Sequence, residues 1–421
     1  MVIGFDGSRA FVKNRTGTEN YSYQLLKALA KIDKKNQYIV YLRPQYSSNG
    51  SEKFSPPKAD RTINSWPSNF KFVEISWPRL WTQGGLALQT FKSNLDVLFV
   101  PSHTLPLIKV PGLKTVVTVH DLGSQYLPSM HQLKQRLYLS FMQKHQLKTA
   151  TKIIAVSKAT KEDLIRTIKI NPDKISVVYE GFDENLFSAK GGSSFGRKND
   201  IESNILKGLD NYFLFVGTVQ PRKNLARLIQ AFAKFSSKLP FGGPVVGSKG
   251  KINNKNQATN YQLPTTNFQL VIAGNRGWLS DEIYKLPKKL GIDLPAGRQG
   301  IGVKFLGYVE DKDLPKLYSN AKAFLYPSLF EGFGLPILEA QACGCPVLTS
   351  KVSSMPEVGL SSVLYANPYD VNDIVKGMKK IMDKELRTRL VELGFKNVKR
   401  FSWEKCAQET LEVMRNVILN D

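Results

Sequence analysis

Two glutamates with seven residues between them, Glu331 and Glu339, lie in the stretch FEGFGLPILEAQACGCPVLTS. Strand-like runs stand before and after it, and the order strand, glycine loop, helix, strand predicts a βαβ unit. The two loop glycines, Gly332 and Gly334, allow a ligand to approach the backbone closely, and Pro336 suits the first turn of the helix. The backbone N–H groups of that helix start favour an anion. Together with the two carboxylates, they suit a ligand that carries several hydroxyls and a phosphate, such as a nucleotide-sugar.

Two adjacent cations, Arg222 and Lys223, follow the strand-like run YFLFV within the segment GTVQPRKN. Gly217 and Pro221 make the turn that brings them to the mouth of a helix. Two cations beside a helix N-terminus suit a diphosphate. Each feature also has a plainer interpretation. The cations are then a basic pair on a solvated surface, and the glutamate stretch is a turn whose glycines serve packing and whose carboxylates face water.

Taken together, these two segments resemble the retaining glycosyltransferases of family 4, of group 1 and mannosyltransferase-like type, which have the GT-B fold. The resemblance covers nearly the whole chain, because AGNRGW, GYVEDKDLPKLYSNAKAFLYPS and SSMPEVG also match the family's pattern. It implies transfer, with retention, of a hexose of mannose or glucose type. The donor would be a nucleoside-diphosphate sugar and the acceptor a saccharide or lipid-linked hydroxyl, in cell-surface polysaccharide or glycolipid synthesis.

The resemblance also implies roles for individual residues. Arg222 and Lys223 would neutralise the diphosphate leaving group, Glu331 would contact the donor sugar, and Glu339 would accept hydrogen bonds from the ribose hydroxyls. Because the two cations already supply positive charge, neither a metal nor another cofactor is expected. Further donor contacts are expected from Gly217, from Tyr308 and Val309 near the base, from the backbone of Phe333, Gly334 and Leu335, and from Gly17, where Thr18 replaces the family's second glycine.

His120 ends the strand-like run TVVTV, at the place where the family has a histidine that faces the donor sugar. There it could hydrogen-bond a hydroxyl or assist proton transfer, which makes it a catalytic candidate beside Arg222, Lys223 and Glu331. The alternative is a buried histidine whose partners are protein groups. The triplet at 311–313, Asp-Lys-Asp, has the form of a metal motif from another glycosyltransferase fold, but its place at a helix start favours a role with the helix dipole.

Two other kinds of function stay open on the residues alone. One is a sugar-nucleotide epimerase or hydrolase on the same frame, and the other is a non-catalytic module that binds nucleotide-sugars. Free nucleotide and sugar formed without an acceptor would favour a hydrolase. Tight donor binding without turnover would favour a binding module.

The elements that position these residues alternate between strands and helices in both halves of the chain. At 421 residues the chain exceeds a single ordinary core, so two domains are expected. Runs such as DVLFV, TVVTV and KIIAV are apolar throughout, which is typical of a parallel sheet covered by helices. These patterns predict an α/β protein of GT-B type, with two doubly wound, Rossmann-like domains facing a central cleft where the ligands bind.

Composition shifts along the chain place the domain borders. The N-terminal, acceptor-side domain is predicted at 1–190, a linker at 191–208, and the C-terminal, nucleotide-sugar-binding domain at 209–401. The last helix, at about 402–421, is expected to pack back onto the N-terminal domain. The polar stretches 44–69 and 241–267 are predicted to be long inserted loops. Thr18 and Ser157 are predicted as helix N-caps.

The charge of the chain is strongly basic, with 59 Lys and Arg against 35 Asp and Glu and a formal net charge of +24. Such an excess predicts an anionic partner. Nucleic acid is not expected, because no nucleic-acid-binding signature is present. A helix predicted at 129–148 has a basic face. It is either docked on the sheet with that face in solvent or lies against an anionic membrane surface.

The cysteine count and the hydropathy pattern concern the compartment. Three cysteines, Cys343, Cys345 and Cys406, favour a reducing environment, and the four histidines have no metal-binding spacing. No apolar run is long enough for a transmembrane helix, and the first residues do not resemble a signal peptide. A cytoplasmic protein that reaches the inner face of the membrane is therefore expected.

Overall fold

The structure, a computed structural model, describes residues 1–12, 15, 17–44, 66–77, 79–102, 104–122, 144–188, 204–209, 211–237, 268–293 and 300–419. The chain divides into two compact units: unit 1 comprises Met1–Phe182 with Phe401–Asp421, and unit 2 comprises Asp183–Arg400. The predicted loops 44–69 and 241–267, the linker 191–208 and the helix 129–148 fall wholly or largely outside the described residues. Of the last, residues 144–148 are described and are helical.

Unit 1 is built on a seven-stranded sheet in the order β3-β2-β1-β4-β5-β6-β7, and each neighbouring pair is parallel. Its strands are β1 (Val2–Asp6), β2 (Gln37–Leu42), β3 (Phe70–Glu74), β4 (Val97–Val100), β5 (Lys114–Val119), β6 (Lys152–Ala155) and β7 (Ile175–Val177).

Unit 2 repeats this plan with a six-stranded parallel sheet in the order β10-β9-β8-β11-β12-β13. Its strands are β8 (Asn211–Val216), β9 (Phe268–Ala273), β10 (Gly302–Gly307), β11 (Ala323–Tyr326), β12 (Val347–Ser350) and β13 (Leu364–Ala366). In both sheets the strand order reverses beside the first strand, between β1 and β4 and between β8 and β11. Ligands of doubly wound sheets bind at the carboxyl ends of the strands at such a reversal.

Helices flank both sheets. Besides the helical residues at 144–148, they are α1 (Gly17–Ile32), α2 (Ala87–Lys92), α3 (Lys158–Asp163), α4 (Leu225–Ser236), α5 (Asp281–Lys289), α6 (Leu314–Asn320), α7 (Leu335–Ala342), α8 (Met355–Gly359), α9 (Val371–Lys380), α10 (Lys384–Val398) and α11 (Trp403–Leu419). Every residue of β4, β9 and β12 is buried, as expected for parallel strands with both faces covered. The predicted α/β class with two doubly wound domains is confirmed.

The two N-cap predictions had different outcomes. The Ser157 hydroxyl caps α3 by accepting from the N–H of Thr160 at 3.0 Å, as predicted. The prediction for Thr18 was wrong, because α1 begins at Gly17 and Thr18 lies inside its first turn. Its carbonyl oxygen accepts from the hydroxyl of Ser22, one turn further along the helix, at 3.0 Å.

The last helix, α11, belongs to unit 1 although the whole of unit 2 precedes it in the chain. It contacts α1 and strands β4, β5 and β6. Lys31 pairs with Glu404 at 2.7 Å, and the rings of Tyr21 and Trp403 meet edge to face with centroids 5.8 Å apart. The backbone of Gly181 passes so close that an added Cβ would lie 2.2 Å from the nitrogen of Trp403.

Two glycines approach each other closely where neighbouring strands of unit 2 end: Gly217 follows β8 and Gly274 follows β9. This contact generates a prediction about stability. Gly274 has φ +147°, its N–H donates to the carbonyl of Gly307 at 2.7 Å, and an added Cβ would lie 2.1 Å from the carbonyl oxygen of Gly217. We expect Gly274→Ala to lower the free energy of unfolding by about 3 kcal/mol, because backbone strain and a collision between backbone atoms add together. The measurement is thermal or urea unfolding.

The matched control is Gly291→Ala in the same unit. Gly291 also has a left-handed φ, +68°, but an added Cβ would meet no atom within 4 Å. It should lose only about 1 kcal/mol, from the backbone conformation alone. Equal losses in the two variants would show that the close approach of Gly274 and Gly217 contributes nothing.

Candidate active site

A buried carboxylate shared by two cations lies in unit 2. The Nζ of Lys223 is 2.7 Å from Oε1 of Glu331, and Nη1 of Arg222 is 2.8 Å from Oε2 of the same carboxylate. Lys223 also donates to the hydroxyl of Tyr326 at 2.6 Å. Glu331 and Lys223 are buried, with 5% and 6% of their surfaces exposed. The structure therefore brings three of the predicted catalytic residues into direct contact.

The sheet topology explains why residues so distant in sequence meet. Arg222 and Lys223 lie in a 3-10 turn at Pro221–Lys223 that follows β8, and Glu331 lies in the loop that follows β11. Strands β8 and β11 are neighbours at the reversal of strand order, so both loops leave the same edge of the sheet. The N–H of Leu329 donates to the carbonyl of Arg222 at 2.9 Å, which joins the two loops through their backbones.

The charges of this cluster strongly favour the ionised carboxylate. Burial alone would raise the pKa of Glu331, but the attraction of Lys223 and Arg222 outweighs it and lowers the pKa to about 2. With two cations and one carboxylate, the cluster carries a net positive charge near neutral pH. A positive cluster at the carboxyl edge of a parallel sheet is suited to an anionic ligand such as a diphosphate.

Two serines that the sequence reasoning did not single out hold the Glu331 loop. The hydroxyl of Ser353, a residue with φ +54°, donates to the carbonyl of Glu331 at 2.5 Å and accepts from its N–H at 3.3 Å. The hydroxyl of buried Ser354 donates to the carbonyl of Phe333 at 2.6 Å. Both lie in the segment SSMPEVG, whose match to the family's pattern assigns no role to either serine. These bonds fix the backbone between Glu331 and Phe333.

The helix that follows the loop begins as predicted. Gly334 precedes α7 with φ +112° and offers no capping side chain, and Leu335 and Pro336 open the helix. Glu339 lies one turn further along and accepts from the hydroxyl of Tyr318 at 3.0 Å. Burial raises the pKa of Glu339 to about 7, against the opposing effect of the Tyr318 hydrogen bond. Its ability to accept hydrogen bonds as a carboxylate therefore changes near neutral pH.

The remaining predicted donor contacts of unit 2 lie at the same carboxyl edge of the sheet. Gly217 follows β8, and an added Cβ there would lie 3.7 Å from Cε of Lys223, so its backbone is close to the cluster. Tyr308 and Val309 follow β10 at the end of the sheet, where Tyr308 is exposed and Val309 is buried. Their role near the base stays a prediction.

His120 and Gly17, the other two predicted residues, belong to unit 1. Gly17 opens α1, and an added Cβ would meet no atom within 4 Å. His120 lies just beyond β5, with Nδ1 3.1 Å from Oε1 of Glu180 and Nε2 2.9 Å from the carbonyl of Pro101. A carboxylate and a carbonyl can only accept, so both ring nitrogens carry a proton when both bonds form.

The electrostatics of His120 agree with that arrangement. Burial would lower the pKa of His120, but the hydrogen bond and the charge of Glu180 raise it above its ordinary value. These partners are protein groups, as in the plainer interpretation of this histidine, and its catalytic role stays a prediction. Sequence reasoning missed Glu180, which follows β7 in the segment YEGF and has no motif of its own.

The residues that could bind a metal do not assemble in the described part of the chain. No group of three or more His, Cys, Asp or Glu side chains is placed to hold a metal ion there. The triplet 311–313 forms the 3-10 turn that leads into α6, in agreement with a helix-start role.

The three cysteines are buried as free thiols, and burial raises the pKa of Cys343 to about 12, far from a reactive thiolate. No helix of the described residues is long and apolar enough to cross a membrane.

Comparison with known families and proteins gives a consistent result. The family described as Glycosyl transferases group 1 matches residues 196–397, and Glycosyltransferase Family 4 matches residues 15–186. The O-antigen chain mannosyltransferase B of Escherichia coli is 30% identical over 303 residues, which are 72% of this chain and 70% of that protein. The O-antigen chain mannosyltransferase RfbU of Salmonella typhimurium is 28% identical over 88% of each chain.

Among solved structures, HepE of Anabaena in complex with UDP and glucose has a TM-score of 0.66 to this chain. The two sequences are 17% identical, and the match covers 99% of each chain. At this identity the likeness concerns the fold, which is shared over the whole length.

The shared carboxylate generates a prediction about acid stability. Glu331→Gln should lower the free energy of unfolding by about 3–5 kcal/mol near pH 7, because it leaves two partly or fully buried cations without their carboxylate. Since the folded pKa of about 2 lies below the ordinary 4.5, the stabilisation by Glu331 is present above pH 4.5 and is lost as the pH falls through 2. The Tm difference between wild type and variant, followed by calorimetry, should therefore narrow in acid.

The control is Glu282→Gln, which removes an exposed carboxylate paired with Lys285 and Lys289. Exposed pairs contribute little, so its Tm should stay close to that of the wild type at every pH. A wild-type advantage over Glu331→Gln that did not change with pH would contradict the ionised, paired state assigned to Glu331.

Proposed function

This chain belongs to the group 1 glycosyltransferases of family 4, and on that premise we propose that it transfers a mannosyl residue from a nucleoside-diphosphate sugar to a saccharide hydroxyl with retention. The observation that carries the proposal is the carboxylate of Glu331, shared by Lys223 and Arg222 beside the start of α7. Mannose is proposed because both relatives are named mannosyltransferases. Their names also support an acceptor in a cell-surface polysaccharide chain.

The chemistry that the cluster can supply is electrostatic. When the bond between sugar and diphosphate breaks, negative charge grows on the departing phosphate oxygen. Arg222 and Lys223 are already held in place by Glu331, and Lys223 also by Tyr326, so these charges need little rearrangement during the reaction. A charged hydrogen bond is worth about 1.5–3 kcal/mol. On this basis the two cations, with the first turn of α7, would stabilise the leaving group without a metal ion.

Glycosyl transfer is favoured over a sugar-nucleotide epimerase or hydrolase and over a non-catalytic module that binds nucleotide-sugars. Family membership and the relatives' names both point to a transferase.

We propose that the acceptor is presented at the inner face of a membrane, either as a saccharide or as a lipid-linked chain. The net charge of +24 supports an anionic surface as a partner. Nucleic acid is not part of the proposal.

The donor can be identified by its effect on thermal stability. The panel consists of GDP-mannose, UDP-glucose, UDP-GlcNAc, ADP-glucose and the free diphosphates GDP, UDP and ADP, all without added metal. We expect only the ligands that carry one particular base to stabilise the protein, by about 2.7 kcal/mol at a hundredfold excess over Kd. Because the pKa of Glu339 is about 7, the stabilisation should be larger at about pH 8 than at about pH 6.

Glu339→Gln should weaken this stabilisation and remove its pH dependence, because the amide has one acceptor oxygen instead of two and carries no charge. Glu392→Gln, at an exposed position on α10, is the matched control and should behave like the wild type. A donor shift that survived unchanged in Glu339→Gln would remove Glu339 from the donor site. No shift from any donor in the panel would contradict the proposed substrate class.

The leaving-group role can be tested by kinetics. Arg222→Ala should lower kcat by roughly tenfold to a few hundredfold, because an interaction worth about 1.5–3 kcal/mol is lost mainly in the transition state. The measurement is release of nucleoside diphosphate with an alkyl mannoside as acceptor. Arg389→Ala, at an exposed position on α10 of the same unit, is the control and should leave kcat near the wild-type value.

Two outcomes would contradict the assignment. If Arg222→Ala kept its kcat and only raised KM, Arg222 would bind the donor without stabilising the leaving group. If donor breakdown were independent of every acceptor, the enzyme would be a hydrolase.

A further inference from the structure

The side chain of His120 connects the carboxyl ends of three strands of unit 1. His120 directly follows β5, Pro101 directly follows β4, and Glu180 follows β7. Nε2 of the imidazole lies 2.9 Å from the carbonyl oxygen of Pro101, and Nδ1 lies 3.1 Å from Oε1 of Glu180. Strand β4 borders the reversal of strand order, whereas β7 is the edge strand on the far side. The Nε2 end of the ring is therefore nearer to the place where doubly wound sheets bind ligands, and Glu180 lies behind it.

The other contacts of His120 leave its ring little freedom to turn. Its backbone carbonyl accepts from the hydroxyl of Thr160 at 3.3 Å, and the hydroxyl of Ser157 donates to that of Thr160 at 2.9 Å. The ring of Tyr21 meets the imidazole edge to face, with centroids 4.6 Å apart. The position and the plane of the imidazole are thus set by neighbouring elements. Because 12% of its side-chain surface remains exposed, the ring is still within reach of a ligand.

Glu180 is a buried carboxylate that needs a cation. Only 5% of its surface is exposed. A buried carboxylate costs free energy unless a charge and hydrogen bonds compensate it. His120 lies within ion-pairing distance, and it compensates the charge only when its imidazole is protonated on both nitrogens. The backbone beside Glu180 is also fixed, because an added Cβ at Gly181 would lie 2.2 Å from the nitrogen of Trp403. The burial of Glu180 therefore favours a charged His120.

The hydrogen bonds and the surrounding charges agree on a doubly protonated ring. The carbonyl of Pro101 and the carboxylate of Glu180 both accept, so each ring nitrogen has to donate. Burial alone would lower the pKa of His120. The hydrogen bond and the charge of Glu180, together with the Pro101 carbonyl and the charge of Asp121, outweigh it and raise the pKa above its ordinary 6.5.

Two further titratable groups lie near this pair and stay neutral. Burial raises the pKa of Tyr21, on α1, well above its ordinary value. Burial likewise raises the pKa of Cys406, on α11, whose thiol lies close enough to interact with Glu180. Neither group exchanges a proton near neutral pH, so a titration of this cluster in that range belongs to His120 and its carboxylate.

We infer that Glu180 is a positioning residue that keeps His120 doubly protonated, so that His120 acts in glycosyl transfer as a cation and N–H donor and not as a general base. An imidazole with both nitrogens protonated has no lone pair with which to take a proton from an acceptor hydroxyl. It can donate a charged hydrogen bond to an oxygen. The part that His120 plays in the reaction rests on the proposed function, whereas the state of its ring does not.

The protonation of His120 can be measured by NMR titration of the full chain with labelled histidine imidazoles, and its signal is assigned by its absence in His120→Asn. We expect wild-type His120 to keep its second proton above pH 6.5. In Glu180→Gln the pKa should fall below 6.5, because burial is then opposed mainly by the Pro101 carbonyl and Asp121. Glu162→Gln removes an exposed carboxylate on α3 and is the matched control, which should leave the titration unchanged.

The reaction supplies a second measurement. With an alkyl mannoside as acceptor, Glu180→Gln should lower kcat about tenfold or more at about pH 8, because the neutral ring has lost its charged hydrogen bond. The alkaline fall of kcat should also begin at a lower pH in this variant than in the wild type. Glu180→Asp keeps the charge and should recover most of kcat and of the pH profile, which a merely structural loss would not do. A saturating donor concentration keeps the ionisation of Glu339, which concerns donor binding, out of the comparison.

Three results would overturn the inference. The first is a wild-type His120 that loses its second proton below pH 6.5. The second is a titration of His120 in Glu180→Gln that equals that of the wild type. The third is a kcat that is unchanged in Glu180→Gln, or that rises with pH as His120 loses its proton, as a general base requires. The first is measured on the wild type alone, so it decides even if Glu180→Gln does not fold.

Failure of this inference can be distinguished from failure of the proposed function, because the titration needs neither donor nor acceptor. If His120 titrates as expected but no donor binds, the pairing of Glu180 and His120 stands and the proposed activity fails. If transfer is observed but His120 is neutral at about pH 7, the activity stands and the role assigned to Glu180 is wrong.

Discussion

The organisation of unit 2 depends on the burial of one carboxylate between two cations. A buried charge is costly unless it is paired and hydrogen-bonded, so Glu331 constrains every element that brings it a partner. Lys223 and Arg222 approach from the loop after β8, Ser353 from the segment after β12, and Tyr326 joins through Lys223 at the end of β11. Three neighbouring strands of the sheet are thereby connected at one edge through a single side chain and its backbone.

Backbone geometry reinforces the same edge. Asn224, in the left-handed conformation before α4, donates from its side-chain amide to the carbonyls of Pro327 at 3.0 Å and Pro368 at 2.6 Å. Gly274 packs against the backbone of Gly217, at the start of the loop that carries the two cations. The cations that we assign to the leaving group are therefore carried by a loop with few ways to move. Such rigidity is what electrostatic catalysis requires, because charges that are already in place need not reorganise.

The sequence was most informative where a function is encoded in a contiguous segment. The alternation of strands and helices, the glycine loop before α7 and the pair Arg222–Lys223 each follow from local patterns, and the family resemblance connected the last two to one donor site. Local patterns do not indicate which distant residues become neighbours when the chain folds. Tyr326 meets Lys223 across 103 positions, and Glu180 meets His120 across 60. Exposed apolar side chains such as Leu88 and Phe91 were also missed, because an exposed leucine or phenylalanine looks the same in a sequence as a buried one.

The path of the chain through unit 1 has a consequence for how the protein is made. Unit 1 is interrupted after Phe182 and completed only from Phe401 onward, so the whole of unit 2 is synthesised before α11 can reach α1. Until then Tyr21 lacks the ring of Trp403, and the close passage of Gly181 past Trp403 does not exist. An N-terminal fragment emerging from the ribosome would thus expose the apolar surface that α11 covers, at the stage when unpaired apolar surface promotes aggregation. Unit 2, whose residues are contiguous, is free of this dependence on the end of the chain.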